Sequence, residues 1–201
     1  MRASECAESK ALKGRRGKEG GMRITQENSI LLVIDFQERL MPAINEGDEV
    51  EKNAARLVAG CGLLGVPMIA TEQYPKGLGP TRKAIREALG QARIIAKTSF
   101  NALDEPEVGD FVKNALRLHV IICGVESHIC VLQTALAVKS IGFVPVIAAD
   151  CVGSRKPQDR EFALRRAENE GMILSTHEAL LYEIMKDSGH PAFKEISKLI
   201  K

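Results

Sequence analysis

Three side chains of this 201-residue chain, Asp35, Lys97 and Cys130, together have the chemistry to break a carbonyl–nitrogen bond. A thiol that loses its proton is a strong nucleophile. A carboxylate can take that proton and return it to a leaving amine, and a nearby ammonium favours the anionic sulfur. Cys130 lies in the most informative stretch of the chain, Gly124-Val125-Glu126-Ser127-His128-Ile129-Cys130-Val131. With a helix starting near Ser127 or His128, Cys130 falls in its first turn, where the dipole and unpaired amides favour thiolate over thiol. Lys97 nearby would lower the thiol pKa further. The backbone amides of Glu126 and Cys130 could also converge on a developing oxyanion. Each of the three has a plainer alternative: a strand-ending cap for Asp35, a solvated chain end for Lys97, a small buried hydrophobe for Cys130. The catalytic reading rests on their falling at one place.

Elements that would bring them there can be read from the hydrophobic pattern. Apolar runs at 29–36 (SILLVIDF), 66–71, 92–96, 119–123, 143–148 and 172–175 have the character of strands buried on both faces. Helical patterns lie between them at 50–64, 81–89, 108–118, 129–141, 158–169 and 176–186, the last with Thr176 as N-cap, and a tail helix follows Pro191. Alternation of strand and helix calls for an α/β doubly wound sheet with right-handed crossovers. Asp35 closes the first run, Lys97 follows the third and Cys130 comes just after the fourth. A parallel sheet gathers such ends at its carboxyl edge, where ligands bind. The Pro- and Gly-rich loop 73–81 (QYPKGLGPT) belongs to the same edge, and Pro145 inside the fifth run points to a bulge or an edge strand.

Composition narrows the function classes. Only 4% of residues are aromatic and none is Trp, so the core is aliphatic and a stacking surface for single-stranded nucleic acid is not expected. Residues 1–21 carry a net charge of +3 and read as a disordered basic extension; residues 22–201, read as the domain, sum to −1, which points to no nucleic-acid partner. Neither a secretory segment nor an 18-residue apolar run is present, so no membrane partner is expected. Five cysteines without C-x-x-C spacing suggest the reducing cytoplasm, without disulfides or a zinc cluster. Residues 60–65 (GCGLLG) spell G-x-G-x-x-G, but they end a helix and precede a strand, the wrong way round for a pyrophosphate; a nicotinamide cofactor is rejected.

The motifs, in order, are D-x-Q at 35–37, TEQYPKGLGPT at 71–81, KTSF at 97–100, GVESHICV at 124–131 and ADCVGSR at 149–155. This pattern resembles the isochorismatase-like cysteine hydrolases, which include nicotinamidase and N-carbamoylsarcosine amidohydrolase, and it is most similar to the small isochorismatase-domain hydrolases of unassigned substrate. The resemblance runs from about residue 29 to 178. It implies a three-layer architecture: a six-stranded parallel sheet with helices on both faces. It further implies Cys130 as nucleophile, Asp35 as general base and Lys97 as the cation beside the sulfur, a cis peptide at Val125–Glu126 before the oxyanion-hole residue, no cofactor, and a homo-oligomer.

Departures from the family pattern matter as well. The nicotinamidase metal motif D-x-H-x-x-H has no counterpart, because the loop after the second strand reads EQYPK and the histidines (119, 128, 177, 190) lack H-x-x-H spacing; no metal is expected. Phe36, Gln37, Tyr74 and Phe100, with Leu40, are expected around the thiolate, Gln37 as a hydrogen-bond partner for substrate or as a helix cap. His128 is read as a packing or interface residue and Ser154 and Arg155 as structural. The apolar tail (Ile196, Leu199, Ile200) is a candidate contact between subunits. The leading expectation is C–N hydrolysis of a small amide or ureido compound through a thioester. A redox-sensing or binding protein on the same fold, and a vinyl-ether hydrolase, are the alternatives.

Overall fold

A computed structural model describes residues 23–201, so the expected extension at 1–21 and Cys6 lie outside the described residues. The strands are β1 (Ser29–Ile34), β2 (Met68–Gln73), β3 (Ile94–Lys97), β4 (His119–Val125), β5 (Val144–Gly153) and β6 (Ile173–Ser175). They form one parallel sheet in the order β3-β2-β1-β4-β5-β6. The chain builds outward from β1 to β3, returns to the centre at β4 and builds outward the other way. The crevice between the carboxyl ends of β1 and β4 is therefore the switch point at which open α/β sheets bind ligands.

The helices are α1 (Gly47–Leu63), α2 (Pro75–Leu78), α3 (Lys83–Leu89), α4 (Pro106–Asn114), α5 (Leu132–Ser140), α6 (Pro157–Asn169), α7 (His177–Met185) and α8 (Phe193–Ile200). Every residue of β1 and β4 is buried, which is why both read as unbroken apolar runs. Alternate residues serve two cores. Leu31 and Val33 meet Leu57, Ile85, Leu181 and Ile196 from α1, α3, α7 and α8. Ile30, Leu32 and Ile34 meet Val108, Ala135 and Ala163 from α4, α5 and α6.

Local chemistry explains the boundaries. α1 ends in a Schellman motif: Val66 N–H donates to the Cys61 carbonyl, Gly65 N–H to that of Gly62, and Gly65 takes a φ of 69°. The G-x-G-x-x-G letters are thus a helix terminus, and Gly60 lets Leu181 of α7 pack where a Cβ would come within 2.5 Å of it. Thr176 caps α7 by accepting from Ala179 N–H.

Two expectations need correction. Pro145 sits in an internal strand; Val144 N–H bonds toward β4, so Pro145 faces the side on which β6 pairing begins only at Val146. The irregularity of β5 comes later: pairing jumps from Ile122↔Ile147 to Gly124↔Val152, leaving residues 148–151 as a bulge. The apolar tail is also used within the chain, for Ile196 is fully buried in the first core and Ile200 packs against it.

Among the described glycines, Gly124 leaves the least room for a side chain. Its φ is 144°, and an added Cβ would lie 2.3 Å from the Ile34 carbonyl oxygen. Gly124→Ala should therefore lower the unfolding free energy by about 3 kcal/mol or more, read from the urea midpoint at constant m-value.

Candidate functional site

Asp35 is the first residue after β1 and takes a left-handed φ of 57°, turning its side chain across the sheet's carboxyl edge. One carboxylate oxygen accepts from Thr71 Oγ1 at 2.7 Å, and the other from Lys97 Nζ at 2.7 Å. Lys97 is the last residue of β3. Both side chains of this ion pair are completely shielded from solvent. The ammonium has two further oxygen acceptors, Gln73 Oε1 at 2.6 Å and the Ser99 carbonyl at 3.2 Å, and Cys130 Sγ stands 3.6 Å away. The structure thus brings Asp35, Lys97 and Cys130 together although 95 residues of chain separate the first from the last.

Cys130 belongs to a wide turn, Ser127–Val131, rather than to the first turn of a regular helix as expected. Ile129 and Val131 N–H both donate to the Glu126 carbonyl, the second across five residues, and α5 begins only at Leu132. The Val125–Glu126 peptide bond is cis. Two side-chain contacts tie this turn to the segment after β5. The buried Glu126 carboxylate accepts from Arg155 N–H and Nε, and His128 Nδ1 lies 3.0 Å from Ser154 Oγ. His128, Ser154 and Arg155 accordingly join two loops.

The protonation of the sulfur differs from the sequence expectation. Burial, and after it the negative charge of Asp35, push the Cys130 thiol up to about 12, and the Lys97 ammonium only partly opposes them. The resting group is a thiol whose sulfur stands 3.6 Å from the Lys97 ammonium, beside the carboxylate that already answers that ammonium's charge.

Other expected site residues have different surroundings. Phe36 is buried in the first core, on the opposite face of the sheet from Cys130. Gln37 is fully buried and occupied: Nε2 donates to the carbonyls of Gln73 and Gly79, and Oε1 accepts from Gln73 N–H. Its amide stands in for a neighbouring strand and holds the end of β2 against the 73–81 loop, so the expected contact with substrate is withdrawn. Tyr74 is 56% exposed and lines a cleft of about 390 Å³ with Pro75, Lys76, Ala96, Thr98 and Glu105 along the outer side of Lys97. Phe100, 53% exposed, follows the Ser99 carbonyl that binds Lys97. Leu40 is partly buried against the first core. Thr71 and Gln73 were missed. Their signal lay in the alternation of β2, which puts residues 71 and 73 on one face, the face that Asp35 and Lys97 share.

Asp150, Cys151 and His177 hold metal-type ligand atoms within 4.8 Å of one another. His177 Nδ1 is 2.6 Å from Asp150 Oδ2, a hydrogen-bond distance, whereas two ligands of one zinc ion stand roughly 3.3 Å apart. Asp150 also accepts from His177 N–H, so the group is a clamp from the β5 bulge onto the start of α7.

Comparison with known proteins agrees with this architecture. Residues 29–179 match the Isochorismatase domain. Isochorismatase domain-containing protein 2 of Danio rerio is 40% identical over 179 residues, 89% of each chain. The solved structure of the MAR1 ribonuclease from Caenorhabditis elegans is 39% identical, with a TM-score of 0.85 over 89% of this chain and 92% of that one. YcaC of Escherichia coli, described as an octameric hydrolase of unknown specificity, shares the fold at a TM-score of 0.84 with 24% identity over 91% of each chain. With the matched domain spanning β1 to the start of α7 and relatives this similar along most of their length, the chain belongs to the isochorismatase domain family.

Proposed function

We propose that this protein is a cofactor-independent cysteine hydrolase that cleaves a C–N bond of a small amide or ureido compound through a thioester at Cys130. The observation that carries the reading is the solvent-excluded Lys97–Asp35 ion pair with the Cys130 thiol hydrogen-bonded to it. Asp35 takes the thiol proton as sulfur attacks the carbonyl carbon. The oxyanion forms against the backbone amides of Glu126 and Cys130. Collapse breaks the C–N bond, and the amine leaves with the proton held by Asp35. Water then gives a proton to Asp35 and attacks the thioester, releasing the acid and the thiol. Lys97 keeps its charge throughout: it answers the carboxylate at rest and the thiolate once Asp35 is neutral. The same reading places the protein in the cytoplasm, where Cys130 stays reduced, and as a homo-oligomer.

A second reading, RNA cleavage, comes from the name of the C. elegans relative. Against it, several basic side chains near the sheet's carboxyl edge are answered by acids: Arg82 by Glu51, Arg86 by Glu72 and Arg155 by Glu126. A phosphate backbone needs unanswered ones.

Incubating the protein with a panel of small amides and ureido compounds, plus one single-stranded RNA oligonucleotide, separates these readings by intact-mass spectrometry. An acyl adduct on Cys130 with release of amine is the expected result, and Cys130→Ser should keep the fold and lose turnover. Turnover surviving in Cys130→Ser, RNA cleavage, or oxygen adducts alone would each overturn the proposal. For Asp35→Asn the sign is set by the charge removed: without the carboxylate the Cys130 pKa falls, so alkylation by acrylamide at pH 8 should speed up. Hydrolysis by the same variant should slow by about 100-fold or more. Slower alkylation would contradict the electrostatic account.

A further inference from the structure

We propose that Gln73 is a positioning residue for this reaction: its side-chain carbonyl holds the Lys97 ammonium where one N–H can pass from Asp35 to the Cys130 sulfur. The inference rests on the hydrolytic reading of Asp35, Lys97 and Cys130.

An ammonium has three N–H donors, and four acceptors surround this one: Asp35 Oδ2, Gln73 Oε1, the Ser99 carbonyl and Cys130 Sγ. Gln73 and Ser99 do not change charge during the reaction and occupy two donors. The third is shared between Asp35 and the sulfur. At rest the carboxylate is the stronger acceptor and holds it at 2.7 Å. When Asp35 takes the thiol proton it becomes the weaker acceptor, and the same N–H turns toward the new thiolate with little motion of Nζ. Two fixed acceptors therefore make the ammonium a pivot between two anions.

The surroundings of Gln73 suit that task. Its Nε2 donates to the Thr98 carbonyl at 2.7 Å, which directs Oε1 toward Lys97. Its backbone is gripped at both ends by the buried Gln37 amide, which accepts from Gln73 N–H at 2.7 Å and donates to its carbonyl at 3.0 Å. Tyr74 N–H, next in the chain, donates to the Lys97 carbonyl. A neutral acceptor is required at this place. A carboxylate would answer the ammonium permanently and oppose the thiolate, and an apolar side chain would leave a buried N–H unbonded.

The test is the second-order rate of acrylamide addition to Cys130 over pH 6–9, followed by peptide mass mapping. In that reaction sulfur bonds to the terminal alkene carbon and the thiol proton ends on the carbon beside the amide, so no substrate need be known. Gln73→Leu should react about tenfold more slowly or worse, with its pH–rate curve displaced upward. Gln73→Glu keeps an acceptor oxygen and should fold like the parent, yet its curve should also move to higher pH because the added charge opposes the thiolate. A role confined to structure would change thermal stability and leave both curves in place. Folded variants that match the parent curve overturn the inference, and if Gln73→Leu does not fold, Gln73→Glu decides alone. Lys97→Met separates the two levels. A parent-like curve there overturns the hydrolytic reading too, whereas a displaced curve beside parent-like Gln73 variants overturns the positioning role only.

Discussion

Two opposite charges taken out of water, on Lys97 and Asp35, govern how this edge of the sheet is built. Desolvation costs several kcal/mol per ion, and mutual attraction offsets it only when the remaining lone pairs and protons are also bonded. Thr71 meets one Asp35 oxygen, and Gln73 with the Ser99 carbonyl completes the ammonium. With those partners both ions are bonded beyond their mutual contact, and the Cys130 sulfur stands 3.6 Å from the ammonium. The same burial that makes the pair demanding also pushes the Cys130 thiol pKa up.

That arrangement draws on β1, β2, β3 and the turn after β4 at once, so small departures from regular backbone are concentrated there. Asp35 leaves β1 in the left-handed region, Gly124 brings β4 within contact of the Ile34 carbonyl, and the turn bearing Cys130 is widened to five residues. Behind them stand polar ties that touch none of the reacting atoms: Glu126 with Arg155, His128 with Ser154, and Asp150 with His177. They lock the segment after β5 to the turn after β4, and the β5 bulge to the start of α7. The side chains that line the outer cleft, Tyr74 among them, lie on the end of β3 and on the segments after β2 and β3, and Gln37 holds the end of β2 there.

Much of the fold was legible because its cause is local or periodic. The apolar runs of β1 and β4, the Thr176 cap and the Gly65 terminus of α1 each follow from side-chain type and spacing, and each strand lies within a few residues of its expected place. No helix among the described residues is long and apolar enough to cross a membrane, in line with the absence of such a run in the sequence. Errors arose where a residue's surroundings come from far along the chain. Phe36 follows Asp35 immediately, yet the left-handed turn at Asp35 breaks the alternation of β1 and leaves Phe36 in the first core. Gln37 looked like a ligand contact because nothing nearby in the chain reveals that the β2 end and the 73–81 loop consume its amide. Pro145 looked like an edge residue because the late start of β6 cannot be read from residues 143–148.

Residue types and their order determined, without coordinates, the alternating α/β organisation and the nomination of Asp35, Lys97 and Cys130, since a parallel sheet necessarily collects its strand ends on one rim. Tertiary structure alone decided the state of those three groups. The raised Cys130 thiol pKa, the answered charge of Lys97 and the bond from Lys97 to Gln73 depend on excluded water and on distances of 2.6–3.6 Å between segments remote in sequence. Desolvation and Coulomb interaction act through space, and adjacency along a chain carries no record of either.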